Sequence, residues 1–229
     1  MFKKIEAAIK KEQADYKRRA LDYIRNGGEY DKDAGLRRYL TATMWSKYTA
    51  GDISRTEAIK KATARAGKKY DKDTAGELAT LARIANAGRL KSVSICVEWK
   101  KSRVWGYNPT ATALIEWVTP EGFTRWGRYY GHASGCGYDK RSAAVADALN
   151  QCDAVLNIMY SYANKHYNKD IRTGGRAICY GLGYSSRPYF EGGVGVSCFR
   201  KAFELCGFEW VENTASEYTD FYYITRGRK

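Results

Sequence analysis

The sequence predicts an α+β fold, in which an N-terminal helical region is followed by an antiparallel sheet packed with helices. Two observations lead to this prediction. Up to residue 90, apolar residues recur every three or four positions, which is the spacing of one helix face. From residue 92 onward, three segments alternate apolar and polar residues, which is the spacing of a half-buried strand. We therefore expect a basic helical region at 1–90 and an α+β domain at 91–229.

Four helices are expected in the N-terminal region. Ser54 and Glu57 form a capping-box pattern that opens the third helix, and Thr74 and Glu77 repeat that pattern at the start of the fourth. Glycines after the first two helices are typical stop signals. The expected helices are 2–26, 33–48, 54–66 and 74–87.

A short repeat accompanies these helices. Tyr30-Asp-Lys-Asp recurs as Tyr70-Asp-Lys-Asp, and each copy is expected just before a helix. Two copies hint at a duplicated helical hairpin, whereas a solenoid needs about three repeats.

In the second region, Val93, Ile95, Val97 and Trp99 share one face of a strand. The expected strands are 92–101, 110–118 and 123–133. After Leu149 the helical pattern either continues or restarts near Cys152, and it ends by residue 167. A long connection at 168–193, with one strand at 177–180, should follow. We then expect a helix ending near Cys206 and a terminal hairpin at 208–212 and 218–225.

Net charge is the largest compositional fact, at +14. Residues 1–91 contain 22 basic and 12 acidic residues, a net charge of +10, while residues 92–229 contain 17 and 13, a net charge of +4. Such a balance predicts attraction to polyanions, with nucleic acid first and anionic membranes or acidic proteins after it. In the first helix, Lys10, Lys17 and Arg18 lie on the basic face that could follow a phosphate backbone.

Several classes of protein are disfavoured by composition. No stretch approaches ~18 consecutive apolar residues, so we expect no transmembrane helix. The first residues carry charges without an apolar segment, so a cytoplasmic protein is expected. The six cysteines form no Cys-x-x-Cys pair and the only histidines are His132 and His166, so neither a metal nor a cofactor is expected.

The stretch around residues 128–149 joins backbone geometry to a ligand class. Gly135 and Gly137 permit a tight turn, Asp139 is a good N-cap, and an alanine-rich helix follows. Lys140 and Arg141 stand in the first turn of that helix, beside free N–H groups and the positive end of the dipole. Cations at that position indicate that an anion is bound from outside.

The succession of helix, three strands and helix over residues 74–149, closing on Gly135-Cys-Gly-Tyr-Asp-Lys-Arg-Ser-Ala-Ala, resembles the double-stranded-RNA-binding domain. The resemblance implies that Lys140 and Arg141 contact phosphates across a groove. The chain departs from the family's pattern at Ala144, where the family has a further lysine. Asn108-Pro109-Thr110 also lacks the histidine expected between the first two strands.

A second resemblance is broader. The runs Ser92-Val-Ser-Ile-Cys-Val-Glu-Trp, Trp105-Gly-Tyr-Asn-Pro-Thr-Ala and Gly135-Cys-Gly-Tyr-Asp-Lys-Arg-Ser are similar to a group of bacterial phage and mobile-element proteins of uncharacterised activity. This resemblance implies a phage or mobile-element origin and a location in the cytoplasm of a bacterial host. It implies no activity.

Between the first two strands, cations alternate with aromatic residues. Such loops can stack on unpaired bases and neutralise phosphates. We interpret Trp117, Phe123, Trp126, Tyr129 and Tyr130 mainly as packing residues, because strands favour aromatics anyway. The expected exposed contacts are Arg103, Trp105, Tyr107 and Arg125.

A catalytic interpretation has less support. Glu98-Trp-Lys100 matches the Glu-x-Lys part of metal-dependent nuclease sites, but no second carboxylate is expected on a neighbouring strand. His132 with Cys136 lacks a third orienting group. No catalytic residue is therefore assigned.

Three functions remain open. The first is a non-enzymatic protein that binds RNA or DNA through Lys140, Arg141, the aromatic-basic loop and the basic helices. The second is an inhibitor of a host defence complex, of anti-CRISPR or anti-restriction type, which binds a nucleoprotein or protein partner. The third is a metal-dependent nuclease.

Overall fold

The computed structural model describes residues 3–102, 106–135, 138–165, 196–216 and 219–226. The chain forms two compact units. A helical unit comprises residues 7–80, and a sheet unit comprises residues 81–229 together with 1–6. The predicted α+β class is confirmed, with helices in the N-terminal part and an antiparallel sheet packed with helices after it.

The helical unit is built on a core of small and aliphatic side chains. Its helices are α1 (Lys3–Asn26), α2 (Ala34–Tyr39), α3 (Ala42–Thr49) and α4 (Arg55–Ala85), of which α1 and α4 extend beyond the unit. Alanines on α4 allow the other helices to approach its backbone closely. The core residues are Ala20, Ile24, Leu36, Tyr39, Leu40, Ala58, Ala62 and Ala66.

The prediction of one helix over 33–48 is wrong, because the chain breaks between α2 and α3. Leu40 is buried and extended, with φ −78° and ψ 156°. Thr41 then caps α3, since its Oγ1 accepts a 3.2 Å hydrogen bond from the N–H of Met44. A threonine that satisfies a free helix N–H group favours a new start over a continued helix.

The prediction of separate helices at 54–66 and 74–87 is also wrong. The first box does cap α4, since Ser54 Oγ accepts from the N–H of Glu57 at 3.2 Å. At the second box the helix continues, and Thr74 Oγ1 donates to the carbonyl of Tyr70 at 2.7 Å. Lys69 pairs with Asp73 one turn later at 2.8 Å, which supports the continuous helix.

The two tetrapeptide copies therefore have different structures. The copy at 30–33 lies in the turn before α2, whereas the copy at 70–73 lies inside α4. The expectation that each copy precedes a helix is wrong for the second copy. The repeat does not mark equivalent positions of a duplicated hairpin.

Over the residues that the structure describes, the sheet unit has five antiparallel strands in the spatial order β3-β2-β1-β5-β4. The three strands predicted from alternation are present, and the predicted terminal hairpin is β4 with β5. That hairpin joins the sheet because β5 pairs with β1. The strands are β1 (Arg89–Ser102), β2 (Gly106–Val118), β3 (Thr124–His132), β4 (Phe208–Ser216) and β5 (Thr219–Arg226).

Within the described part of the unit, helices that cover one face of this sheet are α5 (Tyr138–Asn150), α6 (Asp153–Lys165) and α7 (Val196–Leu205). Apolar residues of all three helices pack against this inner face. Gly131 of β3 lies directly under α5, where an added Cβ would lie 1.9 Å from the carbonyl oxygen of Ala144. The glycine thus sets how closely α5 approaches the sheet. The buried apolar sheet residues of this core are Leu90, Val93, Ile95, Val97, Ala111, Ala113, Ile115, Phe208 and Trp210.

Two further predictions bear on this part of the chain. The helix expected from Cys152 is α6, and it is separate from α5. The long connection at 168–193 and its strand at 177–180 lie outside the described residues. Among the helices that the structure describes, none is both long enough and apolar enough to cross a membrane.

Candidate nucleic-acid interface

The outer face of the sheet, opposite the helices, presents aromatic and basic side chains on the edge strand β3. Trp126, Arg128 and Tyr130 occupy every second position, and all three are exposed. The exposed fractions of the two rings are large, at 66% for Trp126 and 48% for Tyr130. Because same-face residues in a strand lie roughly 6.8 Å apart, the three side chains form a continuous row. We call these three residues the β3 ridge.

The intervening positions of β3 explain why the ridge is one-sided. Tyr129 and Gly131 lie on the inner face, where Tyr129 packs against the core and Gly131 contacts α5. Burial is the main factor that raises the pKa of the Tyr129 hydroxyl, and Cys152 also contributes. The bulky exposed residues are therefore left together on the outer face.

The neighbouring strand β2 presents a partly apolar surface beside the β3 ridge. The register places Leu114 opposite Arg128, and Leu114 is 41% exposed. Glu116 lies opposite Trp126, but the residue is only 8% exposed and its carboxylate already has partners. Lys91 Nζ lies 2.8 Å from Glu116 Oε1, and Ser92 Oγ donates to Oε2 at 3.2 Å. The nearest acidic group on β2 is thus neutralised by the protein itself.

A cleft of about 340 Å³ lies at the end of β3, where His132 is the next outer-face residue after Tyr130. Thr110 Oγ1 and His132 Nδ1 are 3.4 Å apart. Asn108 also lines the cleft, and its Oδ1 accepts a 2.7 Å hydrogen bond from the N–H of Gly135. The cleft is lined by Lys100, Lys101, Asn108, Pro109, Thr110, His132, Ala133 and Ser134.

The glycine turn predicted before α5 is described only in part, and α5 begins at Tyr138, so Asp139 lies inside the helix and is not its N-cap. Gly135 has φ +95°, a region that favours glycine, while Gly137 lies outside the described residues. Lys140 is exposed near the start of α5. Arg141 differs, because its guanidinium pairs with Glu212 at 3.2 Å and its side chain is only 17% exposed. Arg141 is thus paired within the protein, because the hairpin of β4 and β5 brings a carboxylate to it.

The basic residues predicted on α1 differ in their surroundings. Lys10 is exposed. Lys17 Nζ lies 2.8 Å from Asp71 Oδ1, and Arg18 lies 3.5 Å from Asp15. Exposed ion pairs of this kind contribute little stability, so a phosphate could replace the carboxylates.

The residues predicted between the first two strands are only partly described. Arg103 and Trp105 lie outside the described residues, and Tyr107 belongs to β2 without a described side chain. Arg125 is exposed at the start of β3, with its guanidinium carbon 5.9 Å from the centre of the Phe123 ring. Register places Arg125 opposite Trp117, so it alternates with the ridge instead of belonging to it.

The two residues of the nuclease hypothesis, Glu98 and Lys100, lie on the same face of β1. Glu98 is an exposed outer-face residue of β1, opposite Thr110, and Lys100 lines the cleft. Over the described ranges, no three His, Cys, Asp or Glu residues are grouped where they could hold a metal ion. Cys136, the proposed companion of His132, lies outside those ranges.

The β3 ridge was missed from the sequence because its aromatics were interpreted as packing residues. A signal was present. Gly127 lies between Trp126 and Arg128, and Gly131 follows Tyr130. Two of the alternate positions of this segment therefore have no side chain, and most of its large side chains fall on the face of Trp126, Arg128 and Tyr130. The exposure of those side chains depends on which face the helices cover.

The element order behind the resemblance to a double-stranded-RNA-binding domain is present as α4, β1, β2, β3 and α5, with β5 and β4 added beside β1. Comparison with models of protein families, with curated protein sequences and with solved structures finds no match for this chain. Membership of that family and of the phage group stays a prediction. The chemistry of the described surface is therefore the basis for a functional proposal.

Proposed function

We propose that this protein is a non-enzymatic nucleic-acid-binding protein whose β3 ridge stacks on bases while nearby cations contact phosphates. The observation that carries the proposal is the exposure of Trp126 and Tyr130 on one sheet face, with Arg128 between them. Exposed aromatic rings on a sheet provide stacking platforms for unpaired bases, and an arginine beside them adds cation–π and phosphate contacts.

The spacing of the ridge favours single-stranded nucleic acid. Trp126 and Tyr130 are four residues apart, which is roughly 13–14 Å along a strand. The two rings would therefore contact bases that are not adjacent, with Arg128 reaching a base or phosphate between them. Bases within a duplex do not offer their faces to a sheet, whereas those of a single strand do.

Charge supports the same function. The chain has a net charge of +14, and Lys140, Arg125 and Lys10 add exposed cations outside the ridge. A charge of this size attracts a polyanion over distance, and each phosphate contact releases counterions. The phage or mobile-element origin and the location in the host cytoplasm remain part of this proposal and come from the sequence.

Binding of the purified protein to labelled single-stranded and double-stranded RNA and DNA, from ~50 to 300 mM salt, tests the proposal. We expect tighter binding to single strands, with an affinity that falls linearly with salt on a log-log plot. Absence of salt-sensitive binding to all four polymers would overturn it. The inhibitor of a host defence complex, bound to a protein or ribonucleoprotein partner, would then be favoured.

A further inference from the structure

The cleft is continuous with the β3 ridge. His132 follows Tyr130 on the same face of β3, and it lines the cleft. Beyond His132 the chain leaves the strand and turns through Gly135, whose N–H is held by Asn108. A single strand of nucleic acid that lies along the β3 ridge and extends toward His132 therefore reaches the cleft.

The lining of the cleft suits an anion. Lys100 and Lys101 contribute to its wall, and none of its eight lining residues is acidic. The hydroxyls of Thr110 and Ser134 and the ring of His132 supply further hydrogen-bonding groups. Its volume of about 340 Å³ exceeds that of a phosphate alone and leaves room for an attached sugar.

Two carboxylates lie close to this lining without belonging to it. Glu98 is opposite Thr110 in the register of β1 and β2 and is exposed. Asp147 accepts a 3.1 Å hydrogen bond from the backbone N–H of His132. That bond leaves the charge of Asp147 in place, so the lining favours an anion because the two lysines belong to it while both carboxylates lie outside it.

We propose that this cleft binds the terminal phosphate of a single-stranded nucleic acid that lies on the β3 ridge. This inference rests on the proposed function. An internal phosphodiester carries one negative charge, whereas a terminal phosphate monoester carries about −1.5 to −2 at neutral pH and has three free oxygens. Two lysines in the lining of the cleft match the more highly charged terminal group better than an internal one.

The test uses three labelled single strands of one sequence, each about ten nucleotides long. One has hydroxyls at both ends, one has a 5′ phosphate and one has a 3′ phosphate. We expect one of the two phosphorylated strands to bind on the order of tenfold more tightly than the hydroxyl strand, which is the effect of one charge-assisted hydrogen bond. The double variant Lys100→Ala/Lys101→Ala should reduce that ratio toward one.

A matched variant separates the cleft from general charge attraction. Lys60→Ala removes an exposed lysine of the helical unit and should leave the ratio unchanged. Equal binding of the three strands, or a preference that survives loss of both cleft lysines, would overturn the inference while the proposed function stands. The three strands are made both as RNA and as DNA, and failure of every one of them to bind would instead remove the proposed function.

Discussion

The guanidinium of Arg141 lies 3.2 Å from the carboxylate of Glu212, and this ion pair joins the first turn of α5 to β4. The neighbouring residue Lys140 is exposed. Two adjacent cations that look equivalent in the sequence thus have different surroundings. Arg141 stabilises the packing of the sheet unit, while Lys140 remains available to an external anion.

Replacement of the two cations should therefore have unequal effects on stability. Arg141→Glu places two carboxylates together in a mostly buried site and should lower the free energy of unfolding by about 1–3 kcal/mol. Lys140→Glu should change it by less than about 0.5 kcal/mol. Urea unfolding followed by tryptophan fluorescence measures both, and Arg141→Glu/Glu212→Arg should recover part of the loss. Equal effects of the two single variants would contradict the assignment.

Removal of a ridge ring should weaken nucleic-acid binding without unfolding the protein. Trp126→Ala is expected to raise the Kd for a single strand by about tenfold to a hundredfold, since stacking on one base contributes about 1–3 kcal/mol. Phe123→Ala is the matched control, because Phe123 is an exposed aromatic residue of the preceding turn, outside the ridge. A similar loss in both variants would exclude a specific role for the ridge.

Arg128→Gln should change the salt dependence of binding. If Arg128 contacts a phosphate, the variant loses one counterion-release contact, and the log-log salt slope should become shallower by about one. Titrations at a series of salt concentrations measure this slope. A lower affinity with an unchanged slope would instead place Arg128 against a base.

Glu77 should destabilise the helical unit at neutral pH. Burial is the main factor that raises the pKa of its carboxyl, and a 2.7 Å hydrogen bond from Gln13 only partly opposes it. Because the folded-state pKa lies above the unfolded value, the protonated group is favoured at low pH and this contribution is lost as pH rises through the folded pKa. Glu77→Gln should therefore raise the free energy of unfolding at pH ~7, and not in acid.

Glu29→Gln provides the control for that experiment. Glu29 is exposed in the same unit, and its replacement should leave stability nearly unchanged. Thermal unfolding of both variants at neutral and acidic pH distinguishes the two sites. A stabilisation by Glu77→Gln that is equal at both pH values would argue against the ionised carboxylate as its cause.

Ionisation of the Tyr39 hydroxyl should make the free energy of unfolding depend on pH in the alkaline range. Burial, together with the 3.0 Å contact between the Tyr39 and Tyr70 hydroxyl oxygens, raises the pKa of Tyr39 from 10.0 to about 12. The folded state therefore holds this proton more tightly, and the associated stability is complete below pH 10.0 and is lost toward pH 12. Tyr39→Phe should show a shallower decline in unfolding free energy over that range. Parallel declines in variant and wild type would contradict this.

Substitution by alanine should change the stability of the protein in opposite directions at Gly35 and at Gly76. An added Cβ at Gly35 would lie 2.1 Å from the Tyr23 carbonyl oxygen, a backbone atom that cannot turn away. Gly35→Ala should cost about 3 kcal/mol or more. At Gly76 in α4 no atom lies within 4 Å of the added Cβ, so Gly76→Ala should gain about 0.5–1 kcal/mol. Both glycines belong to the helical unit, and circular dichroism melts compare them directly.

Much of the fold could be predicted from local patterns. The three alternating segments correspond to β1, β2 and β3, because the side-chain period of two is a property of each strand alone. The break at Leu40 and the continuity of α4 could not be predicted in this way. Thr41 caps α3, whereas Thr74 lies inside α4, although the residue type is the same. Packing against other helices decides whether a threonine begins a helix or lies within one.

The sequence by itself determined the α+β class, the positive charge and the glycine turn before α5, because each follows from composition or from short-range spacing. Only the tertiary structure decided that β5 pairs with β1, that Glu212 meets Arg141, and that Trp126 and Tyr130 face outward. These features bring together residues far apart in the chain or depend on which sheet face the helices cover. Such long-range contacts are set by the packing of the whole unit, and local spacing carries no information about them.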